Sequence, residues 1–205
     1  MLKKLSLLFI LPILVLSSCN DADKALEKLI VGEYCNTNNT GTDTSSLALF
    51  KGIYGDEINC ELKINTGELV VFNKDKSLKT LGMIEFEFSF SEDDDEILII
   101  ECNSLFNTEG SWNVKSGLLK QYINADSFNY QISEKEVTGD RLLAEHLDAQ
   151  VSKFVLNISE SMRQDMTKTI VGNVPEIDST SFILHQKGDT EEDEDSEVLY
   201  ERMQE

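Results

Sequence analysis

Reactive side chains are few in this chain, and their spacing limits what they can do. The histidines are His146 and His185. His146 stands beside Glu145 and near Asp148, but neighbours on a helical stretch project at different angles and do not converge on a metal. It reads as a surface or boundary histidine, and His185 ends an apolar run with no partner in sequence. There is no G-x-S-x-G, H-E-x-x-H, P-loop or G-x-G-x-x-G. Acids number 38 against 18 Lys and Arg, too many for one glycosidase-type carboxylate pair to stand out. Two acidic runs, Glu92–Glu96 and Asp189–Glu197, have ligand chemistry suited to Ca²⁺. They lack the D-x-[DN]-x-[DN]-G loop, so loose counterion binding is the expectation. No catalytic residue, cofactor or metal site is named. A net charge of −20 argues against nucleic-acid binding, whose affinity comes from Lys and Arg meeting phosphates.

Cys19 is the residue with an assignable chemistry. Met1-Leu2-Lys3-Lys4 is a short basic start, and Leu5–Leu16 is apolar apart from Ser6 and Pro12. A transmembrane helix needs about 20 residues, so the shorter run makes residues 1–18 a secretory signal peptide. It ends Leu16-Ser17-Ser18-Cys19, which resembles the lipobox of bacterial lipoproteins. The resemblance implies cleavage before Cys19 and a diacylglycerol, of palmitate type, on its sulfur, the thiol being the nucleophile able to carry a thioether. The alternative is an ordinary signal peptide with an unrelated cysteine. Residues 1–18 hold two lysines and no acid, so the chain beyond them balances at −22. Asn20, not Asp, follows Cys19, and Asn20–Asp23 weakly resembles the acidic export tags of Bacteroidota surface lipoproteins. Residues 19–23 are then a lipidated tether. The expected address is the cell envelope, anchored at the outer membrane on its periplasmic or surface face. Export permits disulfides. Cys35, Cys60 and Cys102 allow one internal bridge with one thiol over, or are three small buried hydrophobes. Their spacing does not suit zinc.

The elements that position these groups follow from hydrophobic period. A short helix is expected from Asp23 to Ile30, then a strand Val31–Cys35 and a polar loop Asn36–Ser46. Leu47–Tyr54 is a strand candidate. Ile58, Cys60, Leu62 and Ile64 alternate with polar residues, Asn65-Thr66-Gly67 reads as a turn, and Glu68–Phe72 returns. Ile84, Phe86, Phe88 and Phe90 point one way, with Glu85, Glu87 and Ser89 on the other face. Strands at Ile97–Cys102, Gly110–Lys115, Leu118–Ile123 and Ser127–Ile132 complete a series of short elements that suggests a barrel or sandwich. The period then changes. Apolar residues from Leu143 to Ile170 recur every three or four positions, which predicts a helix over 140–170 capped by Asp140 and stopped by Gly172 and Pro175. Glu176–Gln186 and Val198–Gln204 read as a closing strand pair around a solvated acidic loop.

Gly32-Glu33-Tyr34 after a short helix looks like a degenerate G-x-W, the opening motif of lipocalin-type barrels. Ile177–Leu184, the acidic loop and Val198-Leu199-Tyr200-Glu201-Arg202 resemble the ending of lipocalin-like lipoproteins of Bacteroidota. The resemblance implies one mainly β domain over residues 24–205, an antiparallel lipocalin-like barrel with the long helix before the last two strands. It also implies that Arg202 stacks on Tyr34, a cation–π contact of about 0.5–2 kcal/mol. Three departures stand out: Tyr replaces Trp, the sole Trp is Trp112, and the long helix precedes the closing strands. If Gly32 and Tyr34 are ordinary strand residues, a β-sandwich with a helix is the alternative. Phe86, Phe88 and Phe90 either line a ligand cavity or pack under the long helix. Three functions follow. The first is a lipid-anchored barrel binding a small apolar or amphipathic ligand. The second is an envelope scaffold with a filled core and a protein partner. The third, an enzyme, ranks last because no nucleophile, base or metal set can be named.

Overall fold

The computed structural model describes residues 21–40, 59–92, 95–166, 169–186 and 196–203. Helix α1 spans residues 21–30. Strands β1 (Gly32–Thr40), β2 (Asn59–Phe72), β3 (Ser77–Glu92), β4 (Asp95–Lys115), β5 (Leu118–Ile123) and β6 (Asn129–Gly139) follow. Helix α2 (Arg141–Met166) precedes β7 (Ile170–Ile177), β8 (Ser181–Gln186) and β9 (Ser196–Arg202). All pairings are antiparallel. The sheet runs β3-β2-β1-β9-β8-β7-β5-β4-β6, and β3 also pairs with β4. That last pairing closes eight strands into a barrel and leaves β6 outside the ring, on the upper edge of β4. Closure removes the unpaired edges that a sandwich would keep.

The three long strands β2, β3 and β4 have 14, 16 and 21 residues and overrun the barrel. β4 serves two partners along one edge: Leu98–Asn107 pairs with β6, and Gly110–Lys115 pairs with β5. One continuous inner face therefore carries two cores. In the overrun, Cys60, Leu62, Phe86, Phe88, Phe90, Leu98, Ile100 and Cys102 meet Leu147, Val151, Phe154 and Val155 of α2. Asp140 caps α2, accepting the N–H groups of Leu142 and Leu143 at 2.8 and 3.1 Å. In the barrel proper, Tyr34, Phe72, Trp112, Phe182, Leu184 and Tyr200 form the second core. Its rings meet edge to face or stacked, with centroids 4.9 Å apart for Tyr34–Phe182 and 4.5 Å for Phe182–Tyr200.

Helix α1 seals one end of the barrel. Ile30 is fully buried in the barrel core. Asp23 accepts the N–H groups of Ser116 and Gly117 in the β4–β5 turn at 2.9 and 2.8 Å. Both turn residues have positive φ, as a two-residue hairpin of type I′ requires. Glu27 pairs with Lys76 of the β2–β3 turn at 2.8 Å.

Several local expectations differ from the structure for identifiable reasons. Asn65-Thr66-Gly67 is not a turn but the middle of β2, bonded to β1 on one side and β3 on the other; two ladders outweigh turn propensity. Asn36–Thr40 continues β1 rather than starting a loop. The expected strands at 97–102 and 110–115 are one strand, β4. Helix α2 ends at Met166, and Gly172 and Pro175 lie inside β7. Pro175 occupies the register shift between Asn173 and Glu176, where a residue without an N–H is tolerated. The long helix thus precedes three strands, not two. Leu47–Tyr54, residues 1–18, Cys19 and the acidic loop at 187–195 lie outside the described residues.

Candidate functional site

Gly32, Tyr34 and Arg202 meet at the sealed end. Tyr34 and Arg202 are register partners across β1 and β9, and the guanidinium lies 4.9 Å from the Tyr34 ring centroid. Arg202 also donates to the Leu29 carbonyl at 2.7 Å, the Val31 carbonyl at 3.2 Å and the Tyr34 hydroxyl. A side chain at Gly32 would come within 2.8 Å of Arg202 Nη1, so the glycine admits the guanidinium against the backbone. This group ties α1 to the strand seam and is structural.

Phe86, Phe88 and Phe90 are almost free of solvent. Phe88 stacks with Phe86 and meets Phe154 of α2 edge-on at 5.8 Å. Tyr130 donates to the Val155 carbonyl at 3.3 Å, and Lys135 donates to Ser152 at 3.1 Å and to Asp148. The three rings are therefore filler between sheet and helix.

The polar part of the inner face lies between the two cores. Alternation along β2 puts Thr66 and Glu68 on the same face as Ile64, Val70 and Phe72, yet Thr66 and Glu68 are only half-buried. Asn36 of β1 is the register partner of Glu68. Gln121 of β5 is 3% exposed, and its Nε2 has no hydrogen-bond partner. Burial pushes the Tyr200 hydroxyl up to about 12; the adjacent Gln121 amide opposes this and the Glu68 charge adds to it. Burial likewise holds the Glu68 carboxyl above the usual carboxylate range. Half-buried Ile123, Ile170 and Val198 pack onto the barrel core beside them. This amphipathic patch of the inner wall is the cup: Glu68, Gln121 and Tyr200 supply a carboxyl, an amide and a hydroxyl beside aliphatic side chains, with the Phe106 ring over Gly82, the register partner of Glu68. Such a lining suits a small molecule with a neutral polar end.

The cup was not singled out in the sequence, although a signal was present. Glu68 and Gln121 are polar residues at apolar-parity positions of their strands, which marks either a buried network or a ligand contact.

Other candidates are placed as follows. His146 is exposed on α2, and His185 faces outward beside Glu197 at 3.0 Å. Cys35, Cys60 and Cys102 are free thiols. Cys60 and Cys102 sit on β2 and β4 with β3 between them, level with Phe90 and Phe86 respectively, so two strand spacings (~9.6 Å) and a four-residue offset along the strands put them beyond disulfide reach. Burial pushes the Cys102 thiol up. Among the described residues, no three His, Cys, Asp or Glu side chains gather as a metal site, and no helix is long and apolar enough to cross a membrane. In comparisons with known proteins, no family model matches the chain and no curated protein matches it.

Proposed function

We propose that this is a lipocalin-like lipoprotein, held to the outer membrane through acylated Cys19, that takes a small amphipathic molecule into the barrel cup. The supporting observation is the buried polar trio of Gln121, Tyr200 and Glu68, in which Gln121 Nε2 lies beside the Tyr200 hydroxyl without a hydrogen bond of normal geometry. A buried donor without an acceptor costs about 1–3 kcal/mol, and a ligand carbonyl or hydroxyl would supply the missing partner. The chemistry asked of the cup is binding: no nucleophile with an activating base lies there. Trp112 is the register partner of Gln121 and the only tryptophan, so its fluorescence reports on the cup. Titration with decanol, decanamide and decanoate should change Trp112 emission with the two neutral ligands and less with the anion, which Glu68 repels. Gln121→Leu should abolish the response. No emission change and no thermal stabilisation across the three probes would overturn the ligand reading.

One observation favours the scaffold reading as a second function. Leu81, Met83 and Leu105 are 53%, 40% and 41% exposed and adjoin on the outer wall, where Met83 pairs with Leu105 and Leu81 with half-buried Leu69. Contiguous exposed apolar residues of this kind mark interaction surfaces. Crosslinking from Met83→Cys in native envelopes, absent from a Lys153→Cys control, would support it.

A further inference from the structure

The outer face of the β1–β9 seam sets two sulfur atoms against each other. Tyr34 and Arg202 turn inward as register partners, so Glu33, Cys35, Glu201 and Met203 point outward around them. Cys35 is the register partner of Glu201. The Met203 N–H donates to the Glu33 carbonyl at 2.9 Å, which fixes Met203 opposite Glu33 and on the diagonal from Cys35. Diagonal neighbours across antiparallel strands are within reach of long side chains. Here the Cys35 thiol donates to the Met203 thioether, with the sulfurs 3.1 Å apart. Cys35 is half-buried and Met203 is 50% exposed, so the pair is open to solvent. Glu33 and Glu201 are exposed on either side of it. Cys60 and Cys102, by contrast, are buried in the core under α2.

We propose that Cys35 and Met203 form a binding site for copper(I), a soft monovalent cation. Thiolate and thioether are the soft donors that select this ion. Other common ions fit the pair less well. Zinc calls for three or four protein ligands, and calcium and magnesium take oxygen, whereas copper(I) is satisfied by two sulfurs. Backbone pairing brings both residues to the seam before any ion arrives, so binding orders little more than two side chains. The rotatable bonds of a methionine side chain let the thioether swing away from the thiol and admit the ion between the sulfurs. On binding, the Cys35 thiol gives its proton to water, and a sulfur–copper bond replaces the S–H bond. The thioether donates a lone pair, and copper stays in the +1 state. Glu33 and Glu201 act through their field, which draws a cation to the site, and not as ligands. Because one sulfur comes from β1 and the other from the end of β9, the ion bridges the seam. The site depends neither on the cup nor on an acyl chain at Cys19.

The probe is copper(I) itself. The whole chain is purified in reduced form without oxygen, carrying Cys19→Ser so that the thiol count does not depend on acylation. Competition against the coloured chelator bicinchoninate should show one copper(I) bound per chain. Cys35→Ser should abolish that binding. Met203→Leu, which keeps the backbone bond to Glu33, should weaken it about 10–100-fold, the cost of losing even a residue that only supports a metal ligand. X-ray absorption at the copper edge should show two sulfur neighbours in the parent. Equal affinity in Met203→Leu would mean a cysteine acting alone, and equal affinity in Cys35→Ser would mean capture by Cys60 or Cys102. Either result overturns the site, as does a parent chain that cannot compete with the chelator or a copper edge without two sulfur neighbours.

Discussion

Replacing Arg202 by Met should open the barrel at its weakest seam. β1 and β9 share only two register pairs, Tyr34–Arg202 and Cys35–Glu201, with one further bond from the Met203 N–H to the Glu33 carbonyl at 2.9 Å. The Arg202 side chain adds donors to Leu29 and Val31 that bind the seam to α1. Two bonds from a charged donor contribute about 1.5–3 kcal/mol each, and the contact with the Tyr34 ring about 0.5–2 kcal/mol. The guanidinium is half-buried, so water recovers part of this after substitution. A net loss of about 3 kcal/mol remains, or about 6–12 °C in Tm for a chain of this size. Arg202→Lys keeps the charge but cannot bridge two carbonyls and should lose about half as much. The assay is chemical denaturation with amide exchange read by mass spectrometry. Exchange should accelerate in β1, β9 and α1 while α2 and its sheet stay protected. A Met variant as stable as the parent, or one deprotected evenly throughout, would refute this account of the seam.

Three further outcomes follow. Gly82→Ala places a methyl 2.0 Å from Phe106 Cζ, in a ring stacked on Phe128 at 6.2 Å; a loss of about 1–3 kcal/mol by overpacking is expected in denaturant melts. Glu68→Gln should stabilise the protein at neutral pH and leave it unchanged in acid. Burial raises the native carboxyl above its unfolded value, so the parent's stability is fully present below the unfolded value and falls as pH rises through the native one; melts from pH 3 to 8 check the sign. Thiol labelling of the native protein should modify Cys35 first, because it is half-exposed while Cys60 and Cys102 are buried, and intact mass should show three free thiols beyond Cys19.

Inner faces were legible where apolar residues alternated without interruption. Phe86, Phe88 and Phe90 could be placed on one face from sequence, and so could the α2 stripe of Leu147, Val151, Phe154 and Val155. Continuity of the strands was not legible. Asn65-Thr66-Gly67 carries turn chemistry, yet the three residues pair with Glu85, Ile84 and Met83, partners about twenty positions away that a local reading does not see. Gly172 and Pro175 look like a helix stop because they follow a helical period, but Gly172 is packed against Leu184 and the His185 carbonyl. The cup is a product of closure. Glu68, Gln121 and Tyr200 lie on three strands that only the finished barrel brings together.

The position of that cup follows from the exchange of partners along β4. Above Asn107 the strand's free edge belongs to β6, and below Gly110 it belongs to β5. At the changeover, Glu109 exchanges hydrogen bonds with Asn124 and Ser127, turning the chain from β5 to β6. A helix can cover the flared sheet above this point, and rings can fill the narrow barrel below it. At the level between, where the sheet passes from one geometry to the other, polar side chains mix with Val70 and Phe106. The residues facing inward there include Asn36, Thr66, Glu68, Thr80, Thr108 and Gln121, beside Val70 and Phe106. A polar belt between two apolar cores contributes less to stability than aliphatic filler of the same volume. A ligand bound as proposed would offset that deficit by pairing the Gln121 amide.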